Sequence, residues 1–278
     1  MSYSRAFSFV LALCALHSVA WASDSRFSAL TGSPELRSAS VLVLDADGNQ
    51  IYGKDVHTIR PIASITKLMT AMVVLDAGLD LDEQITITPA DRDTVKRTGS
   101  RLNYGATLSR RELILLALMS SENRAAAALG RTYPGGSEAF VGAMNRKADD
   151  LGMFYSYFAD AAGLRAENVS TAADLGKMLT AAEDYSLIRE STTTQRMEVY
   201  PFRGRGPVVY GNTNRLLKND NWEIELSKTG YINEAGRCLV MQANIDGEEV
   251  SIVLLNSFGK LTPFGDSNRL RKWMLASS

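Results

Sequence analysis

The chain has 278 residues, of which 45% are hydrophobic and 22% are charged, and its formal net charge is −1. This length and composition suit one large core or two closely packed lobes. The near-neutral charge excludes a general attraction to nucleic acid or to anionic lipid.

The first 22 residues have the parts of a secretory signal peptide. Arg5 supplies the positive n-region, residues 7–20 are apolar, and Ala20-Trp21-Ala22 is a small-x-small cleavage site. The segment is too short for a membrane span, and no second apolar segment follows it. We therefore expect residues 1–22 to be removed, which leaves one domain of 256 residues, 23–278.

Cysteine and histidine usage argues against two further kinds of site. Without the signal peptide, Cys238 is the single cysteine and His57 the single histidine, so neither an internal disulfide nor a conventional zinc site is expected. The stretch that begins at Asp45 predicts a hairpin turn at Asp47-Gly48 instead of a calcium loop, because its glycine comes too early. No metal and no cofactor is predicted.

The hydrophobic pattern predicts strands first, then helices, then strands and a last helix. The expected strands are 39–45, 49–54, 197–202, 207–210, 223–229, 237–245 and 249–256. The expected helices are 64–78, 107–119 with Thr107 as its cap, 123–132, 137–151, 171–184 and 264–275.

This order predicts an α+β fold with two lobes. A hairpin cannot bury one face by itself, so the early hairpin is expected to join the late strands in one antiparallel sheet. The helical middle would form the second lobe. A cleft is expected where the lobes meet.

The helix that begins at Ser64 is apolar around most of its circumference, yet Lys67 lies in its first turn. Burial lowers the pKa of a lysine, so its neutral amine could take the proton of a serine one turn away. The alternative is that Ser64 only caps the helix and that Lys67 extends to solvent. The Ser-x-x-Lys spacing alone does not distinguish these two interpretations. A histidine-based serine hydrolase is disfavoured, since only His57 remains and no G-x-S-x-G is present.

Two further motifs favour catalysis. Ser121-Glu122-Asn123 falls between two predicted helices, where it could direct a hydroxyl and an amide into a cleft or merely form a polar turn. Lys228-Thr229-Gly230 ends an alternating strand, where Lys228 and Thr229 could hold an anionic group and Gly230 could admit substrate close to the backbone. Residues 97–99 are similar to the K-T-G motif, and residues 257–260 are a second match to S-x-x-K. Both stretches are interpreted as polar turns.

In this order, S-x-x-K, S-x-N and K-T-G resemble the motifs of the penicillin-recognising serine enzymes. The spacings, 57 residues from Ser64 to Ser121 and 107 from Ser121 to Lys228, are similar to those of low-molecular-mass penicillin-binding proteins. The surrounding stretches RPIASITKLMTAMVVLD, MSSENRAAAALGRTYPGG and LSKTGYINEAGRCLV look like the D-alanyl-D-alanine endopeptidase branch of the serine D,D-carboxypeptidase family. The resemblance covers essentially the whole mature chain and implies a β-lactamase/transpeptidase-like fold.

The resemblance also implies roles for individual residues. Ser64 would be the acylated nucleophile, Lys67 its general base and Ser121 the proton relay to the leaving amine. Substrate-binding residues would be Asn123, Lys228, Thr229, Gly230 and Tyr231, with the N–H groups of Ser64 and Tyr231 forming the oxyanion hole. The reaction would be acyl transfer to water through an acyl-enzyme.

Two features depart from related patterns. The loop FADAAGLRAENVSTAAD lacks the E-x-x-L-N glutamate of class A β-lactamases, so we expect slow β-lactam hydrolysis and trapping by penicillin. In the same loop, Ala161-Ala162 replaces the Pro-Thr or Pro-Ser expected after Asp160, which leaves the loop conformation open. Only 48 residues follow Gly230, so no additional C-terminal domain is expected.

The resulting hypothesis is a periplasmic D,D-endopeptidase that cuts D-alanyl cross-links of peptidoglycan. Its partners would be peptidoglycan stem peptides and cross-links, with β-lactams as covalent inhibitors, no nucleic acid, and at most peripheral membrane association through the last helix. A D,D-carboxypeptidase acting on terminal D-alanine would share every catalytic residue. A non-catalytic β-lactam sensor or wall-binding module is the alternative from another class.

Overall fold

The computed structural model describes residues 26–27 and 30–277, so the predicted signal peptide lies outside the described residues. The helices are α1 (Thr66–Asp76), α2 (Arg110–Met119), α3 (Asn123–Arg131), α4 (Gly136–Asp150), α5 (Ala172–Glu183), α6 (Ser186–Thr193) and α7 (Thr262–Ser277). The strands are β1 (Ser38–Asp45), β2 (Gln50–Lys54), β3 (Arg60–Pro61), β4 (Gln84–Thr86), β5 (Thr107–Ser109), β6 (Val169–Ser170), β7 (Arg196–Val199), β8 (Val208–Gly211), β9 (Glu223–Ile232), β10 (Gly236–Ile245) and β11 (Glu248–Ser257).

The main sheet has five antiparallel strands in the order β2-β1-β11-β10-β9. The early hairpin therefore joins the late strands, as the sequence predicts, with Val43 of β1 opposite Ile252 of β11. β11 lies in the centre and is buried on both faces, which explains its continuous apolar run. β9 is an edge strand, and its free edge faces the cleft.

The helical lobe is built around α1. This helix contacts α2, α3, α4, α5 and α6. Because it is surrounded by other helices, its surface is apolar on all sides. Residues 66–74 of α1 are all buried, Lys67 included. One core cluster fills the space between this lobe and the sheet, and a second lies between the sheet and α7.

The last helix covers the opposite face of the sheet. Leu270 and Met274 are buried in the second core, and the Trp273 indole donates a hydrogen bond to the Thr31 carbonyl at 2.8 Å. The apolar side of α7 is therefore occupied by the protein's own sheet. Across the described residues, no helix is both long and apolar enough to cross a membrane.

One prediction about local structure is wrong, and one helix was not predicted. Residues 107–109 form β5, paired with β4, and α2 is capped by Ser109, whose hydroxyl accepts from the Glu112 N–H. The sequence pattern also missed α6, because its SLIRESTT run is rich in weak helix formers and is held mainly by burial of Leu187 and Ile188. The predicted turn at Asp47-Gly48 is confirmed, and Cys238 lies buried in β10.

Candidate active site

Ser64 lies in a 3-10 turn, Ala63–Ile65, directly before α1. Ala63 has φ +48°, a left-handed conformation that is costly for a residue other than glycine. This bend places the Ser64 hydroxyl at the cleft, and the Lys67 Nζ lies 2.9 Å from its Oγ. The one-turn spacing in the sequence is thus a direct contact in the structure.

The Lys67 amine has three polar neighbours. Besides Ser64 Oγ, these are the Asn123 Oδ1 at 2.8 Å and the Ala162 carbonyl oxygen at 2.6 Å. The latter two can only accept hydrogen bonds, whereas a neutral amine has two N–H groups and one lone pair. In the neutral form both N–H groups are satisfied, and the lone pair is left for the serine hydroxyl.

The environment favours this neutral form. Burial lowers the pKa of Lys67 from 10.5 to about 7, against the opposing charges of Asp160, Glu122 and Asp93. A base with a pKa near neutrality is suited to take a proton from a serine.

Asn123 is oriented by a chain of hydrogen bonds in the loop before β5. The Thr98 hydroxyl donates to the Asp93 carboxylate at 2.7 Å, so it must accept at 2.8 Å from the Asn123 Nδ2. This leaves Oδ1 of the same amide facing Lys67. Asp93 itself is nearly buried, and hydrogen bonds from Thr98, Lys96 and Val95 outweigh burial and hold the pKa of its carboxyl below the usual value.

The loop that follows α4 supplies main-chain acceptors behind α1. Its shape is set by Asp160, whose carboxylate accepts from the N–H groups of residues 162–165 and from the Asn168 amide. The Ala161 carbonyl accepts from Thr70, and the Ala162 carbonyl accepts from Lys67. Ala161-Ala162 is therefore compatible with this arrangement, because the loop acts here through carbonyl oxygens and not through those side chains.

Ser121 lies where α2 gives way to α3, as predicted. Its φ is +60°, again a strained conformation for a residue other than glycine. Both Ser121 and Asn123 line the cleft. The S-x-N motif is thus brought opposite the Ser64 turn by helix packing within one lobe.

Lys228 and Thr229 lie on β9, on the other side of the cleft. The Lys228 ammonium is buried and donates to the Thr229 carbonyl at 3.0 Å. Burial and the charge of Lys67 together lower its pKa well below 10.5. The Thr229 hydroxyl lines the cleft and donates to Thr213 at 2.7 Å.

Gly230 allows β9 to approach the Ser64 turn. A β-carbon at this position would lie 2.8 Å from the Ile62 carbonyl oxygen and 3.2 Å from the Ser64 nitrogen. Glycine is therefore needed for protein packing at this position, and close approach of substrate there stays a prediction. The next residue, Tyr231, is 47% exposed, and the Arg237 guanidinium stacks 3.6 Å from the centre of its ring.

One cleft of about 590 Å³ lies between the lobes, and it is lined by Ser64, Ser121, Asn123, Thr229, Gly230 and Tyr231. Its cations are Lys96, Arg215, Arg237 and Lys260, and no carboxylate residue lines it among the described residues. Lys96 pairs with Glu234 at 2.5 Å, which links the helical lobe to the β9–β10 turn. A cleft of this charge suits an anionic substrate.

The structure brings together all eight predicted site residues: Ser64, Lys67, Ser121, Asn123, Lys228, Thr229, Gly230 and Tyr231. Sequence reasoning missed Asp93, Thr98 and the Ala162 carbonyl, which orient Lys67 and Asn123. It interpreted 97–99 only as a polar turn, and no local pattern shows that this turn reaches the site. No group of three or more potential metal-ligating side chains occurs among the residues that the structure describes.

The fold is that of the D,D-transpeptidases and penicillin-binding proteins. The crystal structure of the Streptomyces K15 DD-transpeptidase matches with a TM-score of 0.81 at 28% identity, over 88% of this chain and 100% of that chain. This comparison defines the class of protein.

Sequence comparison defines the family. A family model described as D-alanyl-D-alanine carboxypeptidase matches residues 28–259. Proteins named D-alanyl-D-alanine endopeptidase from Pseudomonas aeruginosa and Escherichia coli K12 are 47% and 46% identical, over 86% and 87% of this chain and 78% of each relative. A D-alanyl-D-alanine carboxypeptidase from Streptomyces sp. K15 is 33% identical over 76% of this chain and 77% of that relative. The chain belongs to the D-alanyl-D-alanine carboxypeptidase family of serine peptidases, which confirms the resemblance drawn from the motifs.

Proposed function

We propose that the protein is a serine D,D-endopeptidase that hydrolyses D-alanyl cross-links of peptidoglycan. The observation that carries the proposal is the contact of the buried Lys67 amine with Ser64 Oγ, with two acceptors occupying its N–H groups. This arrangement prepares a serine for nucleophilic attack without histidine.

In the first step, Ser64 Oγ attacks the D-alanyl carbonyl carbon and its proton passes to Lys67 Nζ. The resulting oxyanion is stabilised by the N–H groups of Ser64 and Tyr231. The C–N bond then breaks, and Ser121 relays the proton from Lys67 to the leaving amine. In the second step, water hydrolyses the ester and restores the free serine.

Substrate would bind between β9 and the S-x-N motif. The Asn123 amide would hydrogen-bond the stem backbone, and the edge strand at Gly230-Tyr231 would add main-chain hydrogen bonds, as extended peptides do on sheet edges. Lys228 and Thr229 would lend positive charge and a hydroxyl to the carboxylate next to the scissile bond. The cationic cleft supports this orientation.

Two relatives at 46–47% identity that are named endopeptidases favour cross-link cleavage over removal of terminal D-alanine. The D,D-carboxypeptidase remains the second candidate, because the 33% identical Streptomyces relative carries that name. A non-catalytic sensor or wall-binding module is disfavoured, because it has no need for a buried lysine against a serine hydroxyl.

We propose that β-lactams acylate Ser64 and stay bound for long periods. Glu167, the carboxylate of the loop, is exposed, and Asp160 is engaged by backbone N–H groups. Neither residue lines the cleft, so neither carboxylate is placed to activate a water at the ester. The cleavable signal peptide and a periplasmic location are likewise proposals, supported by the pattern of residues 1–22 and by relatives that act on D-alanyl bonds.

The proposal is tested with purified mature protein given cross-linked muropeptide dimers and, separately, pentapeptide monomers. Release of monomers from dimers supports the endopeptidase, whereas loss of D-alanine from pentapeptides alone would make it a carboxypeptidase. Cleavage of neither, without uptake of labelled penicillin, would overturn the enzyme proposal. Ser64→Ala should abolish both activities, and Ser186→Ala, at an exposed serine of α6, serves as the matched control.

A further inference from the structure

The loop between β7 and β8, residues 200–207, projects into solvent from a fixed base. At the base, Pro201 is buried and its carbonyl accepts from the Thr107 N–H at 3.0 Å. At the tip, a β-carbon added to Gly204 or to Gly206 would have no atom within 4 Å. The loop is thus anchored to the protein at one end and open to a partner at the other.

This loop carries two arginines. Arg203 and Arg205 are both exposed. The Arg205 guanidinium lies 5.0 Å from the centre of the Phe202 ring, and Phe202 packs partly against the first core cluster. Stacking on an aromatic ring orients a guanidinium but leaves its positive charge in place. The charge is therefore available to an anionic partner.

A second arginine stacks on an aromatic ring in a neighbouring segment. The Arg124 guanidinium lies 4.5 Å from the centre of the Tyr104 ring and donates to the Leu102 carbonyl at 2.6 Å. Tyr104 is 42% exposed. The two stacked pairs adjoin, because a β-carbon on Gly105 would lie 3.9 Å from the Phe202 ring. Together they form the arginine–aromatic surface, which consists of Tyr104, Arg124, Phe202, Arg203 and Arg205.

The positive charge of the arginine–aromatic surface is not neutralised within the described residues, because none of its three arginines forms a salt bridge there. Residues 97–109 and 199–210 contain no aspartate or glutamate. Glu122 is near Arg124 in sequence, but it is 8% exposed and accepts from the main-chain N–H of that arginine. Carboxylates suit such a surface, because the N–H groups of a guanidinium match both of their oxygens.

The arginine–aromatic surface begins beside the active-site cleft, since Asn123 lines the cleft and Arg124 is the next residue of α3. Peptidoglycan is a polymer, so a strand whose cross-link lies at Ser64 continues beyond the cleft. Its stem peptides carry free carboxylates, and its sugar rings have apolar faces that can pack on an exposed aromatic ring. Both kinds of group on this surface therefore have a counterpart in the one polymer.

We propose that the arginine–aromatic surface is a second, non-catalytic binding site for peptidoglycan. It holds stem carboxylates and sugar rings of the same polymer whose cross-link occupies the cleft. The inference rests on the proposed function, because it takes the polymer to be the substrate. Two contacts with one polymer raise the effective concentration of cross-links at Ser64. The surface would thus favour intact peptidoglycan over short soluble fragments.

Binding is tested by co-sedimentation with purified, insoluble peptidoglycan, in a Ser64→Ala background that cannot digest it. Adding Arg203→Glu and Arg205→Glu should weaken binding by about tenfold, since two attractive contacts become repulsive. Raising the salt concentration from about 50 mM to about 500 mM should also weaken it, because exposed charges are screened. Arg146→Glu with Lys272→Glu, at two exposed positions, makes the same change of net charge and should leave binding unchanged.

A second variant tests the aromatic part of the surface. Tyr104→Ala, also in the Ser64→Ala background, should weaken binding severalfold without any change of charge. In the active enzyme, Arg203→Glu with Arg205→Glu should slow the digestion of insoluble peptidoglycan. It should leave the cleavage of soluble muropeptide dimers and the rate of penicillin acylation unchanged, which also shows that the variant is folded.

Equal binding by the charge-reversed and control variants would overturn the second site, and cleavage of dimers by the wild type would still support the proposed function. Arginine-dependent binding to phosphatidylglycerol vesicles, with binding to peptidoglycan unaffected, would assign the surface to a membrane and also overturn the proposal. Cleavage of no dimer by the wild type would instead overturn the proposed function. Peptidoglycan binding that depends on the two arginines would then still support the second site.

Discussion

Gly163 packs directly against the main chain of Ala63. Its φ is +75°, and a β-carbon there would overlap the Ala63 carbonyl oxygen and lie 2.9 Å from Thr66 Oγ1. Because Ala63 precedes the serine and Ala162 precedes Gly163, this contact joins the two segments that hold Ser64 and Lys67 together.

Gly163→Ala should therefore damage both stability and catalysis. We expect the free energy of unfolding to fall by about 3 kcal/mol or more, since backbone must move as well as adopt a strained φ. Penicillin acylation should slow, because the Ala162 carbonyl is displaced from Lys67. Denaturant unfolding and the acylation rate measure these effects. Gly204→Ala, with φ +73° and no atom within 4 Å, should cost only about 1 kcal/mol; equal losses at the two positions would contradict this account.

The pKa of about 7 for Lys67 predicts the pH dependence of acylation. The rate should rise with pH, pass half its maximum near pH 7 and then level off, because the neutral amine is the active form. Lys67→Arg should abolish acylation, since a guanidinium does not lose its proton. A rate that is flat from pH 5 to 9, measured with a chromogenic β-lactam, would argue against lysine as the base.

The same lysine links stability to pH. Its pKa is lowered in the folded state, so between about pH 7 and 10.5 the unfolded state binds more protons than the folded state. The free energy of unfolding contributed by this group should consequently rise with pH across that window. Comparing the pH profile of stability in the wild type and Lys67→Met isolates the effect, because the variant should lack this increment.

Thr98→Val should misorient Asn123 without unfolding the protein. Valine keeps the shape but removes the oxygen that accepts from Nδ2, so the amide loses the contact that directs Oδ1 to Lys67. We expect kcat for stem peptides to fall about tenfold, the effect of roughly 1.4 kcal/mol in the transition state. Thr94→Val, at an exposed position in the same loop, is the control. Equal activity of the two variants would show that the Thr98 contact is not needed.

Lys228→Met should make the protein more stable and less active. The Lys228 amine is buried, its one hydrogen bond among the described residues goes to a main-chain carbonyl, and burial together with the charge of a protonated Lys67 lowers its pKa. Replacing a poorly compensated buried charge by an apolar side chain can stabilise by about 1–3 kcal/mol. Acylation should weaken strongly because the substrate carboxylate loses its cation. Lys218→Met, at an exposed lysine, should change neither quantity, and a loss of stability in Lys228→Met would refute the assignment.

Much of the fold could be predicted because its signals are local. The alternation and turns of β1, β2, β10 and β11 follow from neighbouring residues, and Thr171 marks the start of α5 by accepting from the Asp174 N–H. β5 and α6 were not predicted because their conformations depend on partners distant in sequence. β5 pairs with β4, and α6 is held by the core in which Leu187 and Ile188 are buried.

The sequence by itself determined which chemistry is present: a serine one turn before a lysine, the two later motifs, their order and their family. Only the tertiary structure decided that Lys67 has acceptors for both N–H groups, because Asn123 and Ala162 come from segments 56 and 95 residues away. The tertiary structure also explains why residues 163 and 230 are glycines, because at each of them the main chain packs against the main chain of the Ser64 turn. A pKa and a hydrogen-bond geometry depend on burial and on distant neighbours, and those exist only once the chain is folded.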